Sequence, residues 1–220
     1  MRTSHQRWIG ATAAVAIAVL GGVAVSAGQL AGRPADDWTA RLDRPERVAA
    51  MKIDYIIASL GLTPGQNVAD IGAGPGIISV PMAKAVAPGG TVYAVEIDKG
   101  YFPHIMQKAE AAHVANVRTV LGAFTDPKLP ARNIDVALFH DVLHHIQDRA
   151  GYLKAMAGYM KPGGRIAIVE LPPTGSHKDD PSLIVTKDQV NGWMAAAGFK
   201  PVQQFDGLNE GKWFVVYGRQ

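Results

Sequence analysis

Residues 68–77 read VADIGAGPGI, placing a carboxylate, Asp70, just ahead of three alternate glycines, Gly72, Gly74 and Gly76. Glycines at this spacing let the backbone approach a ligand in conformations that side chains resist. Such a loop can cradle a phosphate, cradle a nucleoside, or simply turn a strand into a helix. A dinucleotide loop needs its third glycine at position 77, which is Ile77, and a phosphate loop needs a Lys-Ser/Thr pair, which is absent. Asp70 would repel a pyrophosphate but could hold an ammonium or a hydroxyl group. The chemistry therefore suits a nucleoside-like ligand that carries an ammonium group.

Further acids stand where such a ligand would need them. Glu96 closes the second apolar strand, in VYAVEID, about twenty residues beyond the glycines, where a carboxylate can accept both hydroxyls of a ribose. Asp98 points the same way and could substitute. In GAFTDPKLP, Asp126 could accept a hydrogen bond from an adenine amino group, with the backbone N–H of Ala123 or Phe124 addressing the ring, or it could be a turn or cap acid. FHDVLHHI ends an apolar run with His140 and Asp141 and opens the next turn with His144 and His145. His144 could act as general base toward a hydroxyl; otherwise His144 and His145 pack and hydrogen-bond beneath the ligand. Asp141 and Glu170, with His140 or His144, could hold Mg²⁺ or Ca²⁺. Leu-Pro-Pro after Glu170, in place of another acid or amide, argues against that, and no metal site is expected.

The elements that must position these residues alternate along the chain. Apolar β-branched runs at 68–71, 91–97, 117–121, 134–139 and 165–171 are separated by helical stretches at 77–86, 100–112 and 149–160, with a loop at 122–133. Nearly all-apolar strands alternating with helices predict a parallel sheet covered on both faces. After a helix at 186–197, strands at 199–205 and 213–217 are joined by seven residues, enough for a hairpin but too few for a parallel crossover. The expected fold is a doubly wound, Rossmann-like, seven-stranded, mostly parallel sheet with one antiparallel strand in a C-terminal hairpin. Upstream, RPERVAAMKIDYIIASLGL predicts one amphipathic helix behind a polar linker. The expected division is a leader at 1–33, linker and helix at 34–66, and the main domain at 67–220.

The leader has Arg2 and Arg7 ahead of an uncharged run from Trp8 to Val25, and small residues at Val25-Ser26-Ala27. That pattern predicts an export signal or a membrane anchor, with the domain outside the cytoplasm and membrane association through residues 8–25. A start nearer Met51 would instead leave the domain in the cytoplasm. Lys and Arg total 22 against 19 Asp and Glu, but Arg2, Arg7 and Arg33 are the only charges before residue 34. The domain is therefore neutral, which argues against a nucleic-acid partner. With no cysteine there is no disulfide, thiolate metal site or Cys nucleophile.

VADIGAGPG, VYAVEID, IDVALFHDVLHHI and MKPGGRIAIVE, in this order, resemble the class I S-adenosylmethionine-dependent methyltransferases over residues 44–220. The resemblance implies a seven-stranded sheet with a reversed last strand and S-adenosyl-L-methionine as cofactor. It places Asp70, Gly72, Gly74 and Gly76 at the methionine part, Glu96 at the ribose and Asp126 by the adenine. Many relatives have an acid directly after the glycine matching Gly122, where this chain has Ala123. His144, Asp141 and His140 are the candidates beside the transferred methyl group. The absence of an added substrate domain favours a small-molecule or lipid-like acceptor, roofed by the N-terminal helix and by residues 172–185. A non-catalytic nucleoside-binding protein and a Mg²⁺-dependent O-methyltransferase are the alternatives.

Overall fold

The central apolar runs assemble into one sheet because they are buried on both faces, as in β4 (Ile134–His140), where all seven residues are buried, while the run at 117–121 forms an edge. The computed structural model describes residues 34–171, 180–208 and 211–220. The leader reading, and most of the proposed acceptor roof at 172–185, lie outside them.

Strand order is β3-β2-β1-β4-β5-β7-β6, with β1 (Asn67–Ile71), β2 (Thr91–Glu96), β3 (Val117–Leu121), β5 (Met160–Glu170), β6 (Phe199–Phe205) and β7 (Trp213–Arg219). Strands β1 to β5 pair in parallel, while β7 runs antiparallel to both β5 and β6. The expected reversed strand is thus β7, inserted between β5 and β6. The Glu170–Trp213 register brings the start of β7 to the same sheet edge as the ends of β4 and β5.

Helices α3 (Ile53–Leu60), α4 (Ser79–Val86) and α5 (Phe102–Ala111) cover one face, packing Ile56, Met82 and Ile105 on Val68, Val136 and Leu138. Helices α6 (Arg149–Ala157) and α7 (Lys187–Ala196) cover the other, packing Tyr152, Met156 and Met194 on Ile71, Phe139 and Ile168. Alternation of side chains along each strand then assigns strand ends to faces. His140 follows Val136 and Leu138 onto the first face, and Glu170 follows Ile166 and Ile168 onto the second.

Three sequence expectations are corrected. The polar linker is a helix, α1 (Ala35–Leu42). The single amphipathic helix is two, α2 (Pro45–Ala50) and α3, broken at Lys52, which is left-handed at φ +51°. Lys52 Nζ donates to the Gly207 carbonyl at 2.9 Å and Gly207 N–H donates to Tyr55 Oη at 3.2 Å, so the break lets α3 tie onto the β6–β7 connection. Finally, the helix expected at 149–160 ends at Ala157, as α6, and β5 starts at Met160, earlier than expected. Met160 pairs with Ile134, and the register shift before Val136–Arg165 absorbs the Pro-Gly-Gly segment as an irregularity inside the strand.

Candidate cofactor and acceptor site

The glycine loop leaves β1 in a conformation that depends on its glycines. Gly72, Gly74 and Gly76 all have positive φ, at +70°, +51° and +85°. A Cβ on Gly72 would lie 2.3 Å from Val142 Cγ2, whereas one on Gly74 would meet only Leu42 Cδ1, at 3.6 Å. Gly72 is therefore fixed by packing against the β4 exit, and Gly74 by backbone conformation. Asp70 is buried beneath the loop and accepts the Ser79 hydroxyl at 2.6 Å. Burial pushes its carboxyl up to about 6; the Ser79 bond pulls down and the charge of Glu96 pushes up.

Glu96 ends β2 with its carboxylate turned onto the loop, Oε2 accepting Gly74 N–H at 3.0 Å and Oε1 accepting Ile97 N–H at 2.7 Å. Burial raises its pKa, and these backbone donors pull it down. Asp98, the possible substitute, instead caps the turn into α5 by accepting Gly100 N–H at 2.8 Å. Asp126 commits Oδ1 to Lys128 N–H at 2.6 Å and to the Tyr159 hydroxyl at 2.8 Å. The Ala123 N–H, expected to address an adenine ring, donates to the Asp126 carbonyl at 2.8 Å. The structure thus brings Asp70, the three glycines and Glu96 together, and spends Asp126 Oδ1 and Ala123 on closing a turn.

Sequence reasoning put the roof on the N-terminal helix and residues 172–185 and missed a helix in the expected linker. Helix α1 lies over the loop: Leu42 faces Gly74, Ala35 is against Gly100, Asp36 pairs with His104 at 2.7 Å and Asp43 pairs with Lys108. Its only signal in sequence was the pair Asp36-Asp37 in the first turn of an otherwise weak helix.

At the end of β4 the histidines and acids fall into two groups, one on each face. His144 Nδ1 meets Glu170 Oε1 at 2.6 Å; Leu171 N–H donates to the same oxygen at 2.8 Å and His144 N–H donates to Oε2 at 3.2 Å. Both side chains are buried. Glu170 is thus a local clamp on the β4 exit rather than half of a cation site shared with Asp141. The His144 and His145 rings lie 4.1 Å apart, and Arg149 Nη2 donates to the His144 carbonyl at 2.9 Å.

On the other face, Asp141 sits at φ +51°, a backbone state that non-glycine residues adopt at a cost. Its Oδ2 pairs with Lys212, and His140 Nδ1 lies 3.6 Å from the same oxygen. Burial lowers the pKa of His140 to about 4; Asp141 opposes this and Lys212 and Arg47 add to it. Burial alone would raise Asp141, but the neighbouring positive charges outweigh it and hold the carboxyl below its ordinary value. Since His140 is neutral at neutral pH, Lys212 is the cation that does this there.

Among the described residues, six buried side-chain polar atoms lack a partner, and all six gather at this edge: Trp38 Nε1, Thr39 Oγ1 and Asp43 Oδ1 on and after α1, His140 Nε2 and Asp141 Oδ1 after β4, and Trp213 Nε1 on β7. Each unpaired buried group costs on the order of 1–3 kcal/mol. They belong to α1 and to the ends of β4 and β7 at the strand-end side of the sheet, where open α/β sheets take their ligands.

Comparison with known proteins agrees. Residues 69–168 match a family model described as a methyltransferase domain. The chain is 26% identical over 111 residues to the demethylmenaquinone methyltransferase of Geobacillus sp. (strain WCH70), covering 50% of this chain and 47% of that one. It spans 38% to 47% of the length of several curated relatives that it matches. A SAM-dependent methyltransferase from Aquifex aeolicus shares the fold, with a TM-score of 0.74 at 19% identity, covering 84% of this chain and 98% of that one. Magnesium protoporphyrin IX methyltransferase from Synechocystis PCC 6803, solved with bound SAM, does so with a TM-score of 0.66 at 18% identity, covering 84% and 90%.

Residues 69–168 thus match a methyltransferase domain, and the fold is the one shared by these solved SAM-dependent methyltransferases. The residues present fit S-adenosyl-L-methionine: a loop held open by left-handed glycines, a buried acid below and a strand-end acid beside it.

Proposed function

We propose that the protein methylates a small or lipid-like acceptor, with Asp70 and the glycine loop holding the methionine end of the cofactor and Glu96 its ribose. The observation that carries this reading is the convergence of Asp70 and Glu96 on one loop of three left-handed glycines. When bound, S-adenosylmethionine supplies a methyl group already activated on a sulfonium, so alignment of the acceptor is the main task left to the chain. Where the acceptor loses a proton, His140 Nε2 and Asp141 Oδ1 are the groups with open valence to receive it. His144, with Nδ1 on Glu170, positions the β4 exit. The quinone chemistry named for one relative supports an acceptor of small-molecule size.

Calorimetric titration with S-adenosylmethionine, followed by incubation of protein and methyl-labelled cofactor with cell extract, tests this. Binding and a labelled small molecule are expected; binding without any labelled product would instead identify a non-catalytic nucleoside-binding protein.

We further propose that residues 1–33 direct export or anchor the domain at a membrane. Among the described residues no helix is long and apolar enough to cross one. Cell fractionation with N-terminal sequencing of the mature chain decides this: recovery in the cytoplasm with an intact Met1 would refute both routes.

A further inference from the structure

The face of the β4 end that carries His140 holds charges and open valences that lie outside the cradle formed by Asp70, the glycine loop and Glu96. Asp141 is fixed by its left-handed backbone, gives Oδ2 to Lys212, and leaves Oδ1 unpaired. His140, with its side chain 5% exposed, turns Nδ1 toward Asp141 and leaves Nε2 unpaired. Arg47, from α2, lies near enough for its charge to act on both residues. It spends Nη1 on the Leu42 carbonyl at 3.0 Å and on Met51 Sδ at 3.4 Å. Burial lowers the pKa of Arg47, and the charges of Asp141 and Asp43 only partly offset it.

Lys212 pairs with Asp141, Asp43 pairs with Lys108, and His140 is neutral at neutral pH, whereas Arg47 makes no ion pair among the described residues. Arg47 is thus a part-buried guanidinium held by the Leu42 carbonyl and Met51 Sδ, which an anion would stabilise. Beside it, Asp141 Oδ1 accepts a hydrogen bond, and so does His140 Nε2 when Nδ1–H faces the carboxylate. The two requirements are separate: a negative oxygen for the cations, and a hydroxyl donor for the acceptors.

We propose that the acceptor is a small organic acid that presents an anionic oxygen to Lys212 and Arg47 and an adjacent hydroxyl to Asp141 and His140, as hydroxy acids and hydroxyphenolates do. This rests on the methyltransferase reading above. Lys212 and Arg47 then select the charge of the acceptor, while Asp141 and His140 select and orient its hydroxyl.

The test is a titration of the full chain, saturated with S-adenosylhomocysteine to prevent turnover, with 2-hydroxybenzoate, benzoate and phenol, read by calorimetry. Benzoate lacks the donor and phenol lacks the anion. 2-Hydroxybenzoate is expected to bind at least about tenfold more tightly than either, about 1.4 kcal/mol. Lys212→Met should abolish its advantage over phenol, and Asp141→Asn should abolish its advantage over benzoate. Arg47→Met, on a separate helix, gives a second reading of the charge requirement, and retained S-adenosylhomocysteine affinity certifies that each variant is folded. Equal affinity for the three probes, or advantages that survive all the substitutions, would overturn the assignment. Failure of the wild-type chain to bind S-adenosylhomocysteine at all is a different result: it removes the methyltransferase reading, and the acceptor proposal with it.

Discussion

The Glu96 carboxylate accepts the Gly74 N–H across 22 residues of chain, so the glycine loop is tied to the neighbouring strand by the group expected to hold the ribose. Replacing Glu96 with Ala removes both the loop clamp and the ribose acceptor. The loss of a charged hydrogen-bond acceptor is worth roughly 1.5–3 kcal/mol, which corresponds to about ten- to hundredfold weaker S-adenosylhomocysteine binding by calorimetry. A change smaller than about threefold would place Glu96 outside the cofactor site.

Asp70 ties cofactor affinity to pH. Its folded-state value of about 6 lies above the ordinary 3.8, so the folded chain holds this proton more tightly than the unfolded chain. The stability this contributes is complete below about pH 4 and is lost as pH rises through about 6. A cofactor ammonium requires the ionised carboxylate, so S-adenosylmethionine should bind more tightly as pH rises from 5 to 7 and then level off. Asp70→Asn should flatten that profile, weaken binding, and stabilise the ligand-free chain at pH 8 by on the order of 1–3 kcal/mol in urea denaturation. A wild-type binding profile that is flat across this range would separate Asp70 from the cofactor.

Substitution by alanine should distinguish two glycines of the loop. At Gly72 the new Cβ would lie 2.3 Å from Val142, so Gly72→Ala combines backbone strain with a core clash and should cost about 3 kcal/mol or more. At Gly74 the methyl group has room and only the left-handed backbone resists it, about 1–2 kcal/mol. Denaturation midpoints measure the difference, and a larger loss at Gly74 than at Gly72 would contradict the packing described.

Glu170→Ala should cost about 2–4 kcal/mol, because His144 N–H, His144 Nδ1 and Leu171 N–H all lose the acceptor they share. Glu170→Gln keeps an acceptor oxygen and should cost less than half as much. If Glu170→Gln instead abolishes turnover with the fold and cofactor affinity intact, His144 is catalytic rather than positioning.

The sheet and its cofactor edge were legible in the sequence because their signals are local. The run before Asp70, the alternating glycines and the acid ending β2 each carry their meaning within a few residues. Helix α1 was not legible: residues 34–43 are polar on average, and the helix is held by contacts with Gly74, Gly100, His104 and Lys108, far along the chain. The break at Lys52 has the same origin, since its reward is a hydrogen bond to Gly207. The division of the β4-end residues between two faces turns on strand parity, which separates His140 from Glu170 although both close apolar runs. Asp126 could be read as a ligand or as a turn acid, and only the position of Tyr159 shows where Oδ1 is committed.

Helix α1 also sets a timescale. Leu42 lies over Gly74, and α1 is pinned to α5 through Asp36–His104 and Asp43–Lys108, two partly solvated pairs worth at most about 1 kcal/mol each. Raising ionic strength screens the Asp43–Lys108 pair, so turnover limited by product escape is expected to quicken with added salt.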